Sequence, residues 1–89
     1  MDLYLVSRTS AWHSEEELAA AAECMPAQLA MFAGEIRWIR SYVYAEDDGT
    51  FSADCLFEAT SAERLEALAD ASMLPADRIR RVHAATAPA

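Results

Sequence analysis

The sequence contains no lysine. Its seven basic residues are all arginine, set against fifteen acidic ones, for a formal net charge of −8. A field of that sign repels phosphate backbones. It argues against nucleic acid as a partner, although Arg78, Arg80 and Arg81 make a small local basic cluster. Cysteine is scarce too. Cys24 and Cys55 alone supply neither a disulfide scaffold nor a metal framework. No apolar run approaches the roughly 18 residues of a membrane span. The opening Met1-Asp2-Leu3-Tyr4-Leu5-Val6 lacks the basic region of a signal peptide. The expectation is a soluble cytoplasmic protein with no membrane partner. A Gly-rich phosphate loop, a zinc-protease motif and a nucleophilic triad are also missing, so no reaction follows from motifs.

What is present fits one domain, residues 1–89, with 85–89 as a flexible tail. A hydrophobic share of 54% excludes disorder. Leu3 to Thr9 reads as a strand, and Ser10 to His13 as a connection. Ser14 and Glu17 have capping-box spacing. They open a helix from about Glu15 to Phe32, with Leu18, Ala22, Met25, Leu29 and Phe32 as its inward stripe. Pro26 inside it predicts a kink or a helix in two pieces. Two strands follow, Trp38 to Tyr44 and Phe51 to Glu58, closed by Asp47-Asp48-Gly49 with Gly49 left-handed. Thr60 and Glu63 repeat the capping box. The second helix reaches about Ser72, with Ala62, Leu65, Leu68 and Ala69 inward. Leu74 to Asp77 turns the chain into a last strand, Arg78 to His83. The order βαββαβ predicts an α+β, ferredoxin-like fold: a four-stranded antiparallel sheet, its first and third strands central, with two helices on one face.

The hairpin register predicts Val43 opposite Ala53, Ser41 opposite Cys55 and Ile39 opposite Phe57 on the helix side. Trp38, Arg40, Tyr42 and Tyr44 then share the other face with Asp54, Leu56 and Glu58, joined by Tyr4 and Val6. An aromatic face of that kind needs a cover. The reading is a homodimer packed sheet to sheet. The alternative is that the first helix or the C-terminal tail folds over the face.

The polar candidates divide by chemistry. Arg40, flanked by aromatics, suits an anionic ligand through its planar fork, or a structural ion pair with Asp54 or Glu58. Arg8 extends that polar cluster or faces water. Tyr42 opposite Asp54 forms a polar pair that orients a ligand, transfers a proton or simply completes an interface. Ligand binding is thus assigned to Arg8, Arg40, Tyr42 and Asp54. Metal-ligating capacity rests with Cys55, His13 and His83. The plainer alternatives are a buried small hydrophobe for Cys55 and surface histidines for the other two.

The segments Tyr4-Leu5-Val6-Ser7-Arg8-Thr9, Trp38-Ile39-Arg40-Ser41-Tyr42-Val43, Cys55, Phe57-Glu58-Ala59 and Pro75-Ala76-Asp77-Arg78-Ile79 are together similar to a family of small bacterial ferredoxin-like proteins with nickel-binding-protein-like members. The resemblance implies a dimeric domain with nickel, another transition metal or a small molecule as ligand. Family members tend to carry glutamate where this chain has Ser7 and histidine where it has Arg40, while Cys55 is retained. The two exchanges remove metal donors and turn the expectation toward an anionic ligand. Two functions follow. One is a small-ligand or transition-metal-binding homodimer. The other is a dimeric α+β barrel enzyme on a small hydrophobic or anionic substrate, which needs Arg40, Tyr42 and Asp54 to converge on a pocket between sheet and helices.

Overall fold

The computed structural model describes residues 1–88; Ala89, the end of the expected flexible tail, lies outside the described residues. Six elements follow in order: β1 (Asp2–Trp12), α1 (Glu15–Ala30), β2 (Ile36–Ala45), β3 (Phe51–Ala59), α2 (Ala62–Ser72) and β4 (Arg78–Arg81). The strands form one antiparallel sheet in the order β2-β3-β1-β4. The ferredoxin-like arrangement expected from the element order is the fold, with β1 and β3 central.

The core lies between this sheet and the helices. Val6 and Phe57 from the central strands meet Leu65 and Leu68 of α2, all at most 2% exposed. Tyr4 and Val6 therefore belong to the helix side, not the open face where the alternation was read. The pairings Tyr4↔Phe57 and Val6↔Cys55 fix that side, because directly opposed residues share a face.

Two irregularities separate this sheet from the expected one. The β2–β3 register shifts between Trp38 and Arg40, leaving Ile39 as an extra residue. Trp38 rather than Ile39 then lies opposite Phe57 and turns to the helices. Val43 opposite Ala53 and Ser41 opposite Cys55 are as expected. In β1 the register shifts between Arg8 and Trp12, where Ser10 is left-handed at φ 49. The Ser10 N–H donates to Ser52 Oγ at 2.8 Å, and Thr50 Oγ1 donates to Ser10 Oγ at 3.0 Å. These bonds carry β1 past its bulge to Trp12, so the connection expected at Ser10–His13 shrinks to a bend.

Helix α1 starts as its spacing predicts: Ser14 Oγ accepts from Glu17 N, while the Glu17 carboxylate accepts from His13 N. It runs as one helix through Pro26 instead of breaking. Burial of Met25 within the helix and of Phe32 just beyond it ties both halves to the sheet side. That burial offsets the lost hydrogen bond. Helix α2 starts after Ser61, one residue later than expected, and the expected capping box does not form: the Ser61 side chain makes no cap bond, and the Thr60 N–H is bonded to the Glu35 carbonyl. β4 is shorter than expected, and His83 falls beyond it.

The hairpin tip is the predicted three-residue loop. Glu46 N donates to Thr50 O, and Gly49 takes φ +87. Asp48 accepts from both the side chain and the backbone N–H of Thr50, and those bonds lower its pKa. Bonds to the ionised form stabilise the folded tip at neutral pH. That stabilisation is lost as pH falls through the depressed folded value, below the ordinary ~3.9 of a free aspartate. In an acid titration followed by NMR, the Thr50 amide resonance should therefore move with a midpoint below that ordinary value. In chemical denaturation, Phe57→Ala should cost about 3–5 kcal/mol through the cavity it leaves. Met31→Ala, at a side chain 70% exposed, should stay within about 0.5 kcal/mol.

Candidate functional site

The two halves of the interlayer space are filled differently. Over α2, Leu65, Leu68 and Phe57 close the gap. Over α1, the helix borders the space with Ala19 and Ala22, both exposed, so Ala22 is not buried as the inward stripe expected, and the strands present Ser41, Ala53 and Cys55. Short side chains on both sides leave the layers unfilled. The result is a cleft of about 480 Å³ between α1 and the sheet, within the usual size of small-molecule sites.

Its walls are mostly apolar, with Trp12, Trp38, Leu18, Met25 and Val43 among them. These are the chain's only two tryptophans, and each reaches the cleft from a strand with a bulge. Trp38 Nε1 donates to Ser41 Oγ at 3.0 Å. Trp12 Nε1 is buried and, among the described residues, has no acceptor.

Arg8 is the second polar exception. Even-numbered residues of β1 point to the helices, so Arg8 enters the core side with Tyr4 and Val6. It is 2% exposed and lines the cleft. Its Nη1 donates to the Pro75 carbonyl at 2.6 Å. The turn that supplies this carbonyl is stapled to β1: Asp77 N donates to Ser7 O, and Thr9 N donates to Asp77 Oδ2. The ion pairs among the described residues are Arg37–Glu58, Arg64–Glu35 and Arg81–Asp2, and Arg8 is in none of them. A guanidinium buried without a carboxylate is costly.

The sheet's other face is a separate surface. Arg40, Leu56, Leu5 and Arg80 form one cross-strand row, and Tyr42, Asp54, Ser7 and Arg78 form the next. Ser7 Oγ and Tyr44 Oη both donate to Asp54, at 2.9 and 3.1 Å. The Asp54 carboxylate raises the Tyr44 pKa, first through that hydrogen bond and then through its charge. Arg40 Nη1 donates to Tyr42 Oη at 3.5 Å, and Glu58 is held by Arg37. The expected pairs are thus exchanged: Asp54 takes Tyr44 rather than Tyr42, and Glu58 takes Arg37 rather than Arg40. Neither helix lies on this face, and residues 83–88 are exposed, so self-coverage does not occur.

The seven residues singled out from sequence consequently do not meet. Arg8 and Cys55 face the cleft, whereas Arg40, Tyr42 and Asp54 share the opposite face. His13 is exposed before α1, and His83 is exposed after β4. Among the described residues no three His, Cys, Asp or Glu side chains group as a metal site. Cys55, a soft donor, has the Arg8 cation as a fellow wall residue. The donor set of one chain does not fit a resident nickel ion. Sequence reasoning passed over Trp12, whose place in the cleft depends on a bulge without a sequence signature.

The model of the family described as nickel responsive protein SCO4226-like matches residues 4–82. The chain belongs to the SCO4226-like family. The crystal structure of SCO4226 from Streptomyces coelicolor A3(2) is similar at a TM-score of 0.69 and 20% identity, over 94% of this chain and 99% of that one. At that identity the likeness bears on the fold alone. No curated protein matches the chain. As a member of the SCO4226-like family it keeps the family's fold. No helix among the described residues is long and apolar enough to cross a membrane.

Proposed function

We propose that this chain is a small-molecule-binding protein whose ligand occupies the cleft between α1 and the sheet, and that it works as a homodimer. The observation that carries the first part is the cleft itself. About 480 Å³ stands open, with a mostly apolar wall, beside an α2 half that is well filled, and an apolar cleft of that size with a few polar groups is the usual form of a small-molecule site. Alanines on a helix cost little to replace with larger residues, so the gap follows from the residues chosen. The nickel named in the family description stays with the family, because one chain does not gather its donors.

Both tryptophans line the cleft, so their emission reports on its occupant. The neutral apolar dye N-phenyl-1-naphthylamine should bind saturably, one per chain, and quench that emission. Ala22→Phe, placed on the exposed helix turn that lines the cleft, should abolish uptake while circular dichroism stays unchanged. Non-saturable uptake, or uptake indifferent to Ala22→Phe, would remove this reading.

The open sheet face supports the homodimer. Leu3, Leu5 and Leu56 are only half-buried there, and Tyr42 and Tyr44 are 51% and 48% exposed. The face also carries both charge signs, with Arg40 and Arg80 near Asp54 and Glu58. A self-complementary patch of this composition suits a twofold interface. Sedimentation should give twice the 9.8 kDa chain mass, and Leu56→Glu should give the single chain. A native chain that stays single at high concentration rules out the pairing.

A further inference from the structure

We infer that the cleft selects an amphipathic monoanion: a small carboxylate with an apolar chain or ring. This rests on the cleft being a ligand site and names the class of ligand.

Two unspent donors set the class. A guanidinium offers five N–H donors in a planar fork, and the one protein partner found for Arg8 is the Pro75 carbonyl. Trp12 adds a buried indole N–H with no acceptor. Both side chains line the same cleft, and both are more than nine-tenths buried. Native interiors rarely leave such groups unsatisfied. A carboxylate suits the arginine, because it is acceptor-only and matches the fork in geometry and charge, and the indole N–H lies in the same wall.

The rest of the wall sets the remainder of the ligand. Leu18, Met25, Trp38 and Val43 offer contact area and no charge. The one acidic residue in the lining is Glu15, an exposed residue in the first turn of α1. It disfavours a second negative group there, so a monoanion fits better than a dianion. The net charge of −8 opposes long-range attraction of any anion. Recognition therefore depends on the short-range contact at Arg8 rather than on steering.

The test compares octanoate with 1-octanol, equal in chain length and different in charge, as competitors of N-phenyl-1-naphthylamine. On the native chain octanoate should displace the dye at least ten-fold more effectively, in line with the strength of a charge-assisted hydrogen bond. Trp12→Phe keeps the ring and removes the N–H. It should weaken octanoate several-fold and leave octanol unchanged. Arg8→Met should abolish the preference. If that variant fails to fold, because the Pro75 contact is lost, the comparison of octanoate with octanol on the native chain decides the anion assignment. Equal displacement by the two competitors overturns that assignment and leaves the cleft as a site for neutral ligands, and a preference that survives Trp12→Phe intact overturns the indole's part in holding the anion. Failure of the dye itself to bind overturns the cleft reading instead.

Discussion

The hydrogen-bonded register between β2 and β3 slips once, at Ile39, and the composition of the cleft follows from that slip. Side chains on a strand alternate strictly, so one extra residue transfers everything beyond it to the other face. Ser41 and Val43 are in step with Cys55 and Ala53. The slip alone brings Trp38 onto the same side as they are. The bulge around Ser10 in β1 carries that strand on to Trp12. Without these two features the cleft would lose both indoles, and Arg8 would stand in it with little aromatic surface around it.

Packing energy is divided unevenly across the two helices. α2 closes its half of the interlayer with Leu65 and Leu68 against Phe57, so that half holds the fold together. α1 buries Met25, packs Leu18 and Leu29 only partly, and borders the cleft largely with alanines above serine, alanine and cysteine. A chain of this size has little surplus stability. It can leave one side open only because the central strands are anchored from the other. The Pro75–Asp77 turn belongs to the same division of labour, since its bonds to Arg8, Ser7 and Thr9 fasten α2's exit to the strand that lines the cleft.

Much of this was legible in the residues. Ser14 with Glu17, the Asp47-Asp48-Gly49 tip, the inward set of α2 and the alternation along β3 each act locally, and each yields the right element. Parity was the weak point. Trp38 and Ile39 are adjacent large apolar residues, and alternation cannot say which of them is inward. A bulge without glycine leaves no mark. Alternation within β1 leaves open which parity faces the helices; the β1–β3 pairing turns Tyr4 and Val6 inward. Arg8 was singled out for its charge, but its burial became visible only once its parity with Val6 was fixed. Trp12 lay beyond the expected end of its strand, so neither its burial nor its orphaned N–H had a sequence counterpart.

The two faces of the sheet also divide the charge. The open face holds four of the seven arginines, Arg37, Arg40, Arg78 and Arg80, with Asp54 and Glu58 as its acids, while the first turn of α1 alone carries Glu15, Glu16 and Glu17. Four arginines against two acids leave that face far closer to charge balance than the acidic remainder of the molecule, so two copies repel least when they meet there. The proposed pair, once joined, covers it and leaves the acidic first turn of α1 facing outward.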